Sequence, residues 1–100
     1  MAAELPGHQR KYLRGIAHDL KPVVQVGEKG ITDSVIAAVE SALLTHELIK
    51  VRLLEPEDKK GMANDLAART GAAMCGLIGH TVILYKEHPE EPVIHLPKRG

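Results

Sequence analysis

The sequence predicts an α/β domain, a two-layer, four-stranded mixed sheet with three helices in the order α-β-α-β-α-β-β. Three observations predict it. Apolar residues recur at helical spacing in three separate stretches, β-branched runs stand between them, and glycine or proline marks nearly every boundary. With 100 residues, the chain is long enough to bury roughly two-thirds of its unfolded surface without a metal or disulfide staple.

In order along the chain, residues 7–20 carry Leu13, Ile16, Ala17 and Leu20 at helical spacing, and the Lys21-Pro22 step disfavours further helix. Val23, Val24, Gln25 and Val26 form a short β-branched run closed by Gly27, which reads as a buried strand ending in a turn. Beyond Gly30, Thr32 is suited to cap a second helix, with Asp33 in its first turn. Val35, Ile36, Val39, Ala42 and Leu43 mark its apolar face, and it is expected to run to about His46. Over residues 48–54, Leu48, Lys50, Arg52 and Leu54 alternate with Ile49, Val51 and Leu53, giving a strand with one wholly apolar face.

Pro56, Glu57 and Asp58 suit the first turn of a third helix, whose inner face is Met62, Ala63, Leu66 and Ala67 and whose stop is Gly71. Residues 73–78 and 81–86 flank Gly79-His80, a two-residue connection suited to a tight hairpin. Two strand-helix-strand units, expected to cross over right-handed, thus precede a hairpin. The domain is expected to span residues 1–86, and the proline-containing segment 87–100 is expected to be a C-terminal tail separable from the core.

Composition narrows the function classes. The single cysteine, Cys75, excludes an internal disulfide framework and makes the cytoplasm the expected location. Residues 1–7 lack a secretory pattern, and no stretch approaches the roughly 18 apolar residues of a membrane span, so no membrane association is expected. Thirteen Lys and Arg balance thirteen Asp and Glu. The balance is uneven, however: residues 1–30 hold five basic and three acidic residues, residues 31–66 four and seven. A local basic face is therefore compatible with a neutral chain.

The candidate site is Gly27, Glu28, Lys29 and Gly30, between a strand and a helix. A helix N-terminus presents unpaired amides to an anion, glycines admit a phosphate or ribose close to the backbone, and Lys29 adds an ammonium. The same four residues also suit a simple turn that uses glycine for positive φ. On the first helix Arg10, Arg14, His18 and Lys21 follow one stripe with Lys11 beside it, which is either a phosphate-tracking surface or an ordinary solvated face. Only two aromatic residues are present, Tyr12 and Tyr85, the latter expected in the core. Recognition by splayed, stacked bases is thereby disfavoured, and contact with the backbone and shape of folded RNA is favoured.

No catalytic residue, metal site or cofactor is expected. The six histidines show no paired close spacing, and no cysteine cluster accompanies them. Cys75 lies among Ala72, Ala73, Met74, Leu77 and Ile78, which predicts a buried, inert thiol. Glu55, Glu57 and Asp58 are explained by the start of the third helix.

Several motifs in order carry a resemblance: Tyr12-Leu13-Arg14, Ala17-His18, Leu20-Lys21-Pro22-Val23-Val24-Gln25-Val26-Gly27, Lys29-Gly30-Ile31-Thr32, His46-Glu47-Leu48-Ile49-Lys50-Val51 and Ile78-Gly79-His80-Thr81. Across residues 9–86 the chain resembles the CRM domain family, in particular its stand-alone bacterial YhbY-like members. The resemblance implies a fold similar to the C-terminal domain of translation initiation factor three, with the glycine turn used like the GxxG loop of KH domains. It implies RNA contact by Gly27, Glu28, Lys29 and Gly30 with help from the basic first helix, Arg10, Lys11, Arg14 and Lys21. The implied target is ribosomal RNA in large-subunit precursors. Glu28 departs from the family pattern, which often has Lys or a neutral polar residue there. The neutral net charge motivates a different class of function, a factor that binds a ribosomal protein or assembly partner with RNA contact incidental. Oligomeric state is left open.

Overall fold

The computed structural model describes residues 5–97 and contains, in the expected order, α1 (Gly7–Ala17), β1 (Pro22–Val26), α2 (Asp33–His46), β2 (Leu48–Leu53), α3 (Lys59–Thr70), β3 (Ala73–Ile78) and β4 (Thr81–Tyr85). Residues 1–4 and 98–100, assigned by sequence to the start of the domain and the end of the tail, lie outside the described residues. The sheet order is β1-β2-β4-β3, with β1 parallel to β2 and β4 antiparallel to both its neighbours. The mixed sheet arises because the last hairpin inserts β4 between β2 and β3. The crossover through α3 therefore spans one intervening strand.

The period-2 alternation of β2 and β4 decides where the helices go. Ile49, Val51, Leu53, Val82 and Leu84 point to one face, where Val39 and Leu43 of α2 and Ala63, Leu66 and Ala67 of α3 close over them in one buried cluster. Leu48, Ile83, Tyr85 and Cys75 point to the other, where Leu13 and Ala17 of α1 cover them. The three helices and four-stranded mixed sheet are as expected, but the layering is α/β/α where two layers were expected. The reason lies in the strands: β4 carries large apolar residues at both parities, and Leu48 of β2 joins Ile83 and Tyr85, so the second face also needs a cover.

Two boundaries differ from expectation by more than a single residue. α3 starts at Lys59, and Pro56, Glu57 and Asp58 lie outside it: Asp58 is the N-cap, its carboxylate accepting from the Gly61 amide at 3.0 Å. The cap's own backbone is not helical, and the residues before it form a loop in which Glu55 adopts φ 47°. α1 stops at Ala17, and Lys50 Nζ takes up the carbonyls of His18 and Leu20 beyond it, at 3.3 and 3.1 Å. Gly71 ends α3 in the left-handed region with φ 72°, as the sequence predicts, and Gly79 takes φ 59° in the β3–β4 turn.

The segment after β4 folds back over the α1 side of the sheet. Ile94 and Leu96 pack against the Leu13, Ala17, Ile83 and Tyr85 cluster, and Gln9 of α1 donates to the Pro97 carbonyl at 3.2 Å. Cys75 is buried in that cluster, and burial pushes its thiol up to about 11 against the opposing influence of Arg14 and Arg10.

Candidate nucleic-acid interface

The 27–30 turn is a closed reverse turn, the Gly30 amide donating to the Gly27 carbonyl at 3.0 Å, with Glu28 and Lys29 exposed at its tip. Gly30 sits at φ 71°, a conformation that favours glycine. Gly27 does not take positive φ, and a Cβ at either glycine would meet nothing within 4 Å. The chain's own packing thus leaves both glycine faces open, and close approach from outside is the remaining consequence of their bare backbone. The turn is not the helix N-terminus itself. Ile31 intervenes, Thr32 Oγ1 caps the Val35 amide at 3.2 Å, and Asp33 occupies the first turn, so α2 offers less to an anion than its place after the turn suggested.

On one side the turn borders a groove walled by Glu55, Glu57 and Asp58. On the other it opens onto Arg52 and His80, with Glu28 and Glu55 at the rim, in a depression of about 450 Å³. The expected cations of α1 lie elsewhere. Lys21 precedes β1 and Gly27 follows it, so the length of the strand, roughly 17 Å, separates the two. Arg10, Lys11 and Lys21 are exposed, whereas Arg14 is half-buried: its Nη1 donates to the Cys75 carbonyl at 2.8 Å, and its aliphatic stem crosses Gly76.

The two patches are joined by a surface that sequence reasoning missed. α1 covers only part of its side of the sheet, leaving the β1–β2 half open. Lys50 and Arg52 project there, Arg52 in register with Gln25 of β1 and Thr81 of β4. A second depression, of about 280 Å³, is lined by Arg14, His18, Lys50 and Thr81. A track therefore runs from α1 through Lys50 and Arg52 to Gly27 and His80. Among the described residues the one ion pair is Arg69 with Asp65 on α3, so no cation of the track is ion-paired, while Glu28 and Glu55 line its turn end. The alternation of residues 48–54 was the available signal, since it set Lys50 and Arg52 on one face; which half of that face stays open depends on where α1 lands.

Tyr85 is buried as expected, and burial, followed by the charges of Glu47 and Glu87, pushes its phenol up to about 12. Tyr12 is 43% exposed on α1. Among the described residues no group of three or more His, Cys, Asp or Glu is placed to hold a metal ion, and no helix is long and apolar enough to cross a membrane.

Fold and site together define a small α/β domain with a cationic track leading to a glycine turn. The chain belongs to the CRS1 / YhbY (CRM) domain family, whose model matches residues 5–86. It is 42% identical over 93 residues to an RNA-binding protein of Haemophilus influenzae, covering 91% of this chain and 93% of that one. It is 41% identical over 95 residues to the probable RNA-binding protein YqeI of Bacillus subtilis, covering 93% and 99% of the two chains. The solution structure of SAV1595 from Staphylococcus aureus, described as a candidate RNA-binding protein, superposes with a TM-score of 0.82 at 36% identity, over 94% of this chain and all of that one. These names describe binding and not catalysis.

Proposed function

We propose that the chain binds RNA in the cytoplasm, and that its target is ribosomal RNA in large-subunit precursors, where it acts as an assembly factor. The observation that carries the reading is the cation track: Arg14, Lys50 and Arg52 share one face, none of them is ion-paired among the described residues, and they lead to a turn whose glycine faces are open. Phosphates spaced along a backbone suit such a track, because each cation displaces a condensed counterion. The turn residues Gly27, Glu28, Lys29 and Gly30 and the cations Arg10, Lys11, Arg14 and Lys21 form the contact surface, with Arg52 between them. The names of the relatives support the choice of RNA, and the motif resemblance supports the ribosomal target. With one exposed aromatic ring, at Tyr12, the surface suits backbone and shape more than stacked bases.

A salt titration of binding to a large-subunit ribosomal RNA transcript tests this. The log–log slope is expected to be steep, and Lys29→Ala and Arg52→Ala are each expected to reduce it by about one, with Arg52→Ala changing folding stability by less than about 0.5 kcal/mol. A slope near zero sinks the proposal. It would instead favour the second reading, a protein partner, for which the supporting observation is an apolar groove of about 340 Å³ between Ile16, Leu20, Val23 and Ile94.

A further inference from the structure

The side chain of Glu47 is 1% exposed, so it sits as a carboxylate inside the protein, at the junction of α2 and β2. Three features of its position are unfavourable. Its φ of 62° is strained for a residue with a Cβ, its negative charge lies at a helix C-terminus, and it has lost its water. What offsets them is a set of three charge-assisted hydrogen bonds. Oε2 accepts from the His88 amide at 2.8 Å, and Oε1 accepts from the Val93 and Ile94 amides at 2.8 and 2.7 Å. The Glu47 carbonyl also accepts from the Lys86 amide at 2.9 Å. Between these anchors the chain makes its own turn, His88 Nδ1 accepting from the Glu90 and Glu91 amides at 3.1 and 2.9 Å. One residue, through its carbonyl and its carboxylate, therefore organises the path of residues 86–94.

That path leads to α1. Beyond Glu47's grip, Ile94 and Leu96 fill the cluster beneath the helix, and Gln9 near its start is tied to Pro97. α1 needs such support, since only Leu13 and Ala17 of it are buried and its flanking Tyr12 and Ile16 are exposed. Its C-terminal end is held by Lys50, and its middle by Arg14 on Cys75. Its N-terminal half, which carries Arg10 and Lys11, has the strap.

We propose that residues 88–97 are a strap that sets α1 on the sheet, and that Glu47 is its buckle, a positioning residue for RNA binding that touches no RNA. The binding half of this statement rests on the function proposed above; the buckle does not.

The test uses the full-length chain carrying Glu47→Ala, and in parallel the milder Gln9→Ala, which leaves the buckle intact. Amide hydrogen exchange is followed residue by residue, and binding to a large-subunit ribosomal RNA transcript is titrated against salt well below the melting temperature. In Glu47→Ala the amides of His88, Val93 and Ile94 and the N-terminal half of α1 are expected to exchange at least about tenfold faster while α2 and α3 stay protected, and affinity is expected to fall several-fold with a shallower salt slope. Gln9→Ala is expected to shift α1 exchange and the slope in the same direction by less. A purely structural role would lower the melting temperature without changing the slope of the folded protein. Unchanged exchange at Val93 and Ile94 overturns the buckle; a released strap with unchanged salt slope overturns the positioning role. If Glu47→Ala does not fold, Gln9→Ala decides the positioning role and Glu47→Gln the buckle, by the same two readouts. If the wild-type chain shows no salt-dependent binding, the RNA proposal and the positioning role fail together, and the exchange pattern still decides the buckle.

Discussion

The two ends of α2 make opposite use of a left-handed backbone. Before the helix, Gly30 takes φ 71° in a turn whose glycine faces are open, with a lysine at the tip. After it, Glu47 takes φ 62° with its side chain turned inward, and both carboxylate oxygens are used. The first end is shaped to be approached, and the second to hold. Glycine satisfies strain by having no side chain, whereas glutamate offsets it by what the side chain binds. Substitutions that break one end should therefore register in folding, and those at the other in binding.

The largest effect is expected at the holding end. Glu47→Ala leaves three partly buried amides without their acceptor, and urea unfolding should show a loss of about 2–3 kcal/mol. Protonation tests the same contact. Burial raises the affinity of Glu47 for a proton, but the hydrogen bonds from the His88, Ile94 and Val93 amides outweigh it and hold its carboxyl below the ordinary 4.5. The unfolded chain therefore takes up this proton at higher pH than the folded one. The stability from Glu47 is fully present above about pH 5 and is lost as pH falls through 4.5 towards the folded value. Glu47→Gln should flatten that part of the acid-stability profile, and an unchanged profile would show that other carboxylates govern it.

An intermediate effect is expected at Gly76, on β3. A Cβ there would lie 2.8 Å from Arg14 Cδ, so Gly76→Ala should displace the arginine from the Cys75 carbonyl, at about 1–2 kcal/mol. Loss of protection at α1 amides alongside that cost would confirm that Arg14 fastens the helix. A neutral substitution would mean that the stem slides aside freely.

The smallest folding effects, and the sharpest comparison, belong to the glycine turn. Gly30→Ala should cost about 1 kcal/mol for its positive φ. Gly27→Ala should change stability by less than about 0.5 kcal/mol, since neither its backbone nor its surroundings resist a Cβ, yet it should weaken RNA binding if a phosphate or ribose rests on that position. Equal binding by Gly27→Ala and wild type would reduce the turn to a connector.

Sequence periodicity revealed every helix and strand, because each signal is local: Leu13 and Ala17, Val39 and Leu43, Ala63 and Leu66 mark inward faces within a turn or two of one another. The start of α3 was placed too early because Pro56 and two acids resemble a first turn, and only the Asp58 bond to Gly61 distinguishes a cap from the residues before it. Of the candidate site, the turn and the cations of α1 were legible as residue types. Their relation was not. They sit at opposite ends of β1, and Lys50 and Arg52 join them only because α1 leaves half of its face uncovered.

By itself, then, the sequence determined the class of fold, the order of its elements and the presence of a bare-backbone turn, since period, cap and glycine act over a few residues. The tertiary structure decided that helices cover both faces, that Arg14 reaches Cys75 across 61 positions, and that Glu47 gathers amides 41 to 47 positions away. No local pattern marks a carboxylate as the holder of a distant strand of chain. Its role depends on a chain path that exists only once the sheet has formed, and on a burial that makes each bond worth more than it would be in water.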